Sequence, residues 1–228
     1  MSIQSNIQEI KGEIADRPVK LIAVSKLFPY QSVLEAIEAG HYIFGENYVQ
    51  EAKSKFETIS TFIEDLNKLE LHLIGPLQSN KAKFAVRMFD FIHTVDSLKL
   101  AEVISKEAKK INKIQKVLVQ VNISEEPQKS GVAPNNLKDL IVSILPLSNI
   151  QITGLMCIGR DIDIESQSQI RREEFVHLRG LQEELNQDLG LKLDQLSFGM
   201  SDDYLIAIEE GSTMVRIGSA IFGERKKV

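Results

Sequence analysis

The chain has 228 residues and a formal net charge of −5 at pH 7, which leaves no surplus of positive charge for binding the phosphate backbone of a nucleic acid. Hydrophobic residues make up 43% of the sequence and charged residues 26%, a composition that excludes a disordered chain and is typical of a folded globular protein. The single cysteine excludes an internal disulfide bond and a thiolate metal cluster.

The N-terminal segment and the hydropathy pattern predict where the protein acts. Residues 1–11 are polar and do not resemble a signal peptide, and no apolar run approaches the roughly 20 residues of a membrane span. With the low cysteine count, these features predict a cytoplasmic protein. The length predicts one domain over residues 1–228.

Short apolar segments alternate along the chain with longer amphipathic ones. The apolar segments are rich in Val, Ile and Phe, which predicts strands covered on both faces. The predicted strands are residues 19–24, 41–44, 71–74, 89–94, 117–123, 152–158, 195–198 and 214–221. The predicted helices are residues 3–15, 31–39, 47–59, 79–89, 97–111, 134–145, 166–189 and 201–210.

Eight strands separated by helices favour a parallel sheet with crossover helices. In a chain of this length, the pattern predicts a single (β/α)8 TIM-type barrel with an extra N-terminal helix. An open doubly wound sheet is the alternative, because periodicity does not show whether a sheet closes. The polar segment 160–171 is predicted to be a loop before a long helix.

In such barrels, chemistry is placed where strands end and the following loops begin. Lys26 closes the apolar run 21–24. A lysine at the mouth of an apolar strand is partly desolvated, and the lowered pKa expected there suits Schiff-base formation with a carbonyl. Taken alone, however, the pattern favours a lysine that extends from the strand end to water.

Arg216 lies within a segment otherwise fit for burial, so its guanidinium needs either an acidic partner or a ligand. Gly218 and Ser219 follow it, and Ser201 follows the seventh strand, in the arrangement of a barrel phosphate site. The neighbouring Asp202 and Asp203 would repel a phosphate if they pointed toward it. The alternative explanation for Gly218 is that the backbone turn at this position requires a glycine.

The remaining polar residues give weaker signals. The four histidines lack the spacing of metal ligands, so no metal site is expected, and a strand histidine such as His72 is typical of a hydrogen-bonded core residue. The chain has no dinucleotide fingerprint, no Walker A loop and no nucleophilic serine elbow.

Several motifs in order resemble the YggS family of pyridoxal phosphate homeostasis proteins. These are AVSK (23–26), FGENYVQE (44–51), HLIGPLQSNK (72–81), VNIS (121–124), KSG (129–131), GLM (154–156) and the block 197–223. The resemblance covers nearly the whole chain. It departs from the family pattern at Leu27, Phe28 and Phe198, which could alter the mouth of a pocket.

The resemblance implies a fold similar to the N-terminal barrel of alanine racemase, with pyridoxal 5′-phosphate (PLP) held as an aldimine on Lys26. It also implies that Ser201, Gly218 and Ser219 contact the phosphate and that Arg216 faces the pyridine nitrogen. The positions that match the lining of the cofactor pocket are Asn47, His72 and Met156.

The function predicted from these features is PLP homeostasis, in which the protein holds, buffers or delivers the cofactor with little or no catalysis of its own. An arginine at the ring nitrogen disfavours ring protonation, and no catalytic acid or base is identified. PLP-dependent apoenzymes are expected partners, and a monomer is expected. The alternatives are a PLP-dependent amino-acid racemase, a cofactor-free Schiff-base aldolase and a signalling protein that acts by protein contacts.

Overall fold

A closed barrel of eight parallel strands, in the order β1 to β8, forms the centre of the computed structural model. The structure describes residues 2–63, 65–126 and 128–224. The strands are β1 Lys20–Val24, β2 Ile43–Glu46, β3 Glu70–Leu73, β4 Phe91–Val95, β5 Gln115–Val121, β6 Ile150–Cys157, β7 Gln195–Ser197 and β8 Met214–Ile217. The predicted barrel is therefore confirmed, and the open sheet is excluded.

Helices surround the barrel and connect its strands. They are α1 Ile3–Glu13, α2 Tyr30–Glu38, α3 Val49–Ile59, α4 Ala82–Met88, α5 Leu98–Lys109, α6 Leu137–Ile144, α7 Ile164–Leu189, α8 Tyr204–Glu209 and α9 Ser219–Phe222. The predicted N-terminal helix is α1, which packs against α2 and α9. No helix within the described ranges is long and apolar enough to cross a membrane.

The pairing of the first and last strands closes the barrel and sets the position of Arg216. Ile22 of β1 lies beside Arg216 of β8, and Ala23 lies beside Ile217. Most strand residues are buried, as expected for a parallel sheet covered on both sides. Arg216 is thereby held in the barrel wall, three residues before α9 begins at Ser219.

Two hydrophobic cores stabilise the fold. The larger lies between the strands and the surrounding helices. The smaller lies inside the barrel and consists of Ile22, Phe91, Leu118, Met156 and Met214. Because side chains fill the barrel interior, ligands bind at the strand ends and not along the barrel axis.

The structure has the predicted loop over residues 160–163 only, and α7 begins at Ile164, two residues before the start predicted for this helix. Asp163 caps this helix by accepting a hydrogen bond from the backbone N–H of the second helical residue. Arg171 is buried and forms an ion pair with Glu174 at 3.0 Å. The polar composition of residues 164–171 therefore reflects the start of a helix whose Arg171 forms buried ion pairs.

The last predicted strand, residues 214–221, also differs from the structure. β8 ends at Ile217, and Ser219 begins the short helix α9. Apolar residues continue past the strand because Ile221 is buried under the helical layer. The prediction that residues 1–228 form one domain stays a prediction.

His41 is expected to make the protein sensitive to acid. Burial lowers the pKa of His41 from 6.5 to about 4. The unfolded chain therefore binds a proton below pH 6.5 that the folded chain does not, so stability falls as the pH falls. Between pH 7 and pH 5 this group should cost about 2 kcal/mol.

Urea unfolding of the wild type and of His41→Gln at pH 7 and pH 5 measures this cost. The His41 ring nitrogen Nε2 lies 2.8 Å from the carbonyl oxygen of Ile43, a contact that glutamine can replace. We expect the variant to lose less stability than the wild type on acidification. Equal losses would show that His41 does not titrate as its burial requires.

Candidate functional site

A cleft of about 190 Å³ opens at the carboxyl ends of the barrel strands. It brings together six of the predicted site residues. These are Lys26, Asn47, Ser201, Arg216, Gly218 and Ser219. A larger groove of about 610 Å³ lies on the outer surface between α3 and α4, but none of the predicted site residues lines it. The cleft is therefore the candidate site.

Lys26 lies in the turn that follows β1, and this turn is held on both sides of the lysine. The backbone carbonyl of Ser25 accepts a hydrogen bond from Lys55 Nζ at 2.6 Å. The backbone N–H of Leu27 donates to Glu51 Oε1 at 2.6 Å. Leu27 has a φ of 64°, a left-handed conformation that costs free energy for a residue with a side chain. The two contacts stabilise this strained turn and with it the position of Lys26.

The residues that hold the turn form a buried cluster. Lys55 Nζ contacts Glu46 Oε1 at 2.7 Å and Glu51 Oε1 at 2.9 Å. Ser25 Oγ donates to the same Glu46 oxygen at 2.8 Å. Burial raises the pKa of Glu46, and the Lys55 ammonium opposes this rise. Sequence reasoning missed the cluster, although Glu51 and Lys55 have the i,i+4 spacing of a helical ion pair.

Asn47 follows β2 and lies before α3, which begins at Val49. Tyr48 occupies the N-cap position of α3 and makes no side-chain capping bond. The Asn47 side-chain oxygen is buried without a hydrogen-bond partner among the described residues. A buried amide oxygen of this kind indicates a partner that is not part of the protein.

Arg216 is buried, and its guanidinium contacts β7 and the end of β6. Nη1 donates to Ser197 Oγ at 2.7 Å, and Nη2 donates to the backbone carbonyl of Cys157 at 2.9 Å. Neither acceptor is a carboxylate, so these two hydrogen bonds do not give Arg216 the acidic partner that the sequence left open as an alternative to a ligand. The charge of Arg216 remains available to a group in the cleft.

Ser201 and the loop before α9 form one end of the cleft. Ser201 Oγ accepts hydrogen bonds at 3.3 Å from the backbone N–H groups of Gly218 and Ala220. A hydroxyl oxygen thus occupies the position where donors converge, as an anionic oxygen would. Asp203 is turned away, because it pairs with Arg171 at 3.0 Å. Asp202 is exposed at the cleft.

Gly199 permits the turn between β7 and Ser201. Its φ of 94° is disfavoured for other residues, and an added Cβ would lie 2.4 Å from the Cβ of Ala207. Phe198, where the chain departs from the family pattern, is fully buried and stacks on Phe175 with ring centroids 4.4 Å apart. It does not line the cleft, so this departure leaves the cleft mouth unchanged.

The structure does not bring His72 and Met156 to the lining of the cleft. Both are fully buried in the barrel interior. His72 stacks on Phe91 at 4.7 Å and hydrogen-bonds to its neighbours, as the strand pattern predicted for a core histidine. The cofactor contacts that the resemblance implied for these two residues have no support in the geometry.

The polar groups of the cleft fit the cofactor that the resemblance implies. It combines a primary amine, a buried guanidinium, an unpartnered amide oxygen and, at one end, a hydroxyl with two backbone N–H groups. PLP presents an aldehyde, a ring nitrogen and a phosphate. The groups that could hold each of them are Lys26 for the aldehyde, Arg216 for the ring nitrogen, and Ser201, Gly218 and Ser219 for the phosphate.

Comparison with protein families and curated proteins gives one consistent match. Residues 1–226 match the alanine racemase N-terminal domain. The pyridoxal phosphate homeostasis protein of Pasteurella multocida is 42% identical over 236 residues, which cover 99% of this chain and 98% of that protein. The protein of the same name from Aquifex aeolicus is 42% identical over 207 residues, which cover 91% of this chain and 87% of that protein.

Solved structures show the same similarity. PipY of Synechococcus elongatus PCC7942, solved with PLP bound, matches with a TM-score of 0.88 and 35% identity, covering 97% of this chain and all of that chain. Alanine racemase of Clostridium difficile matches with a TM-score of 0.77 at 16% identity, covering 99% of this chain and 57% of that chain. The second likeness supports the barrel fold alone.

Proposed function

We propose a function from one premise, which is that the chain belongs to the alanine racemase N-terminal domain family and, within it, to the pyridoxal phosphate homeostasis proteins. It binds PLP in the strand-end cleft and serves intracellular PLP homeostasis by holding, buffering or delivering the cofactor. The observation that carries this proposal is the convergence of Lys26, Arg216 and Ser201 on one cleft of about 190 Å³.

Each residue of the cleft has a proposed task toward the cofactor. The Lys26 amine binds the PLP aldehyde as a covalent imine with release of one water. Arg216 faces the ring nitrogen, and Asn47 lies beside the ring. Ser201 and the N–H groups of the loop at Gly218 and Ser219 hold the phosphate. The backbone N–H group that now donates to Ser201 Oγ donates to a phosphate oxygen instead, and the Ser201 hydroxyl donates to the phosphate as well.

In the proposed role, the protein carries PLP and does not use it for catalysis. When bound, PLP supplies an electrophilic aldehyde and a ring that can accept electrons from a neighbouring carbon. Arg216 weakens that second capacity, because its positive charge opposes protonation of the ring nitrogen. Of the described residues that line the cleft, only Lys26, Asp202 and Arg216 have ionisable side chains. Apart from Lys26, Asp202 is the one residue among them that could act as an acid or base, and it is exposed to solvent.

A transfer experiment tests the proposed function. We expect the PLP-loaded chain to protect the cofactor from an added hydrazine and to restore activity to an apo-aminotransferase, compared with free PLP at equal concentration. In deuterium oxide, the loaded chain should exchange no α-proton of added amino acids. Sustained, stereospecific exchange would instead support the racemase, and failure to retain PLP would contradict the proposal.

Several predictions from the sequence remain predictions. The delivery of PLP to particular apoenzymes, the monomeric state and the cytoplasmic location are not decided by the similarity to relatives. His72 and Met156 are better explained as barrel-interior residues than as cofactor contacts, because neither lines the cleft.

A further inference from the structure

A chain of hydrogen bonds runs through the barrel interior and ends at Arg216. Ser197 Oγ, which accepts from Arg216, lies 3.0 Å from His93 Nδ1. His93 Nε2 lies 2.8 Å from His72 Nδ1, and His72 Nε2 lies 2.6 Å from Glu70 Oε1. We call these four residues, Glu70, His72, His93 and Ser197, the interior relay. All of them except Glu70 are buried, and Glu70 contacts Lys20 at 2.5 Å at the opposite end of the barrel.

The chemistry of the two end groups fixes the direction of every bond in the relay. A guanidinium has only donors and an ionised carboxylate has only acceptors. Partial burial opposes ionisation of Glu70, but hydrogen bonds from His72 and Lys20 and the charge of Lys20 lower its pKa below the usual range, so Glu70 is ionised at neutral pH. His72 must therefore carry a proton on Nε2 to donate to it.

The tautomer of each histidine then follows from its neighbour. Burial lowers the pKa of both His72 and His93, so both rings are neutral at neutral pH. With its proton on Nε2, His72 accepts at Nδ1, and His93 must donate from its own Nε2. His93 in turn accepts at Nδ1, and the donor to it is the hydroxyl of Ser197.

We propose that the interior relay positions Arg216 by committing the Ser197 hydroxyl proton to His93, so that the lone pairs of Ser197 face the guanidinium. The negative charge of Glu70 thereby stabilises the buried Arg216 guanidinium, whose two hydrogen bonds go to a hydroxyl and a backbone carbonyl. Glu70, His72, His93 and Ser197 are positioning residues, because they act on the cofactor through Arg216. This inference rests on the proposed function only where it assigns Arg216 to the PLP ring.

The relay also accounts for two histidines that the cleft does not use. His72 and His93 face each other inside the barrel with ring centroids 5.0 Å apart. An apolar pair would fill the same space but could not transmit a hydrogen bond from Glu70 to Ser197. The strand histidines are thus a polar path through an otherwise apolar interior.

Nitrogen-15 NMR of the histidine rings in the PLP-free chain tests the relay without substitution of any relay residue. At pH 7 we expect neutral rings with the proton on Nε2 for both His72 and His93. The exposed His177 is the internal control and should show averaged tautomers. Single substitution of His41 and His177 assigns their signals, and the hydrogen bond to the Glu70 carboxylate distinguishes the His72 ring from the His93 ring. A proton on Nδ1 of His93, or a charged His72, would overturn the proposal.

Substitution of Ser197 tests the action on Arg216. In Ser197→Ala we expect a shifted and broadened guanidinium signal for Arg216 and an approximately tenfold weaker affinity for PLP, since a hydrogen bond to a charged group is lost. Ser197→Thr keeps the hydroxyl and should restore both. An unchanged Arg216 signal in Ser197→Ala would overturn the positioning role.

The two proposals fail separately. If Arg216→Ala binds PLP as tightly as the wild type, the assignment of Arg216 to the cofactor fails. The tautomers measured in the PLP-free chain do not depend on that assignment. If the tautomers are wrong while PLP binding still depends on Arg216, the relay fails and the proposed function stands.

Discussion

Replacing Lys26 with alanine is expected to abolish covalent capture of PLP while leaving the barrel folded. The lysine lies in the turn beyond β1 and lines the cleft, and it is not part of the buried core. Its backbone neighbours are held by Lys55 and Glu51, neither of which the substitution removes. The visible absorption band of the PLP-loaded wild type should therefore be absent from Lys26→Ala.

Two controls make this result specific. Lys192→Ala removes an exposed lysine that does not line the cleft and should keep the band. Lys26→Arg keeps a positive charge in the cleft but has no amine that forms a stable imine, so it should lose the band as well. A band of undiminished intensity in Lys26→Ala would place the attachment on another lysine.

Replacing Lys55 with methionine is expected to have the largest effect on stability. The substitution leaves the carboxylates of Glu46 and Glu51 without their cation, and Glu46 is fully buried. Removing one partner of a buried ion pair costs about 3–5 kcal/mol. It also frees the carbonyl of Ser25, so the turn that carries Lys26 should become mobile and PLP affinity should fall.

Urea unfolding and PLP titration measure these two effects. Lys53→Met is the matched control on the same helix, because the Lys53 side chain is 43% exposed and its partner Glu57 lies 3.6 Å away at the surface. That variant should change stability by less than about 1 kcal/mol. Equal stability of the two variants would show that the buried cluster does not hold the turn.

The fold could be predicted from the sequence because the β/α pattern is complete. Strands such as Phe91–Val95 are buried along their whole length, and helices separate them at regular intervals. Closure of the barrel could not be derived from periodicity, because it depends on the pairing of Lys20–Val24 with Met214–Ile217 across the whole chain. The boundary between the loop and the helix within segment 160–171 could not be placed from the sequence, because buried ion pairs give the start of α7 a polar composition.

The candidate site could be predicted in part. Lys26 and Arg216 stand out because each is a charged residue at or within an apolar strand segment. The supporting residues could not be found in this way. In the sequence, Lys55 has the pattern of an ordinary surface residue of a helix. The hydrogen bond between His72 and His93 depends on strand register, which no local sequence pattern encodes.

Resemblance and geometry contributed different information. The motif 44–51 was significant only as part of a family pattern, whereas the structure gives its residues separate tasks. Glu46 and Glu51 stabilise the lysine turn from behind, and Asn47 faces the cleft. Met156 shows the reverse, since its position in the pattern implied a cofactor contact that its burial in the barrel interior does not support.

The most direct test of the account is borohydride reduction of the PLP-loaded wild type, followed by peptide mass mapping. Reduction converts an imine into a stable secondary amine and so records which nitrogen held the cofactor. We predict one phosphopyridoxyl adduct, on the peptide that contains Lys26. An adduct on a different lysine, or tight PLP binding with no adduct at all, would contradict the central claim.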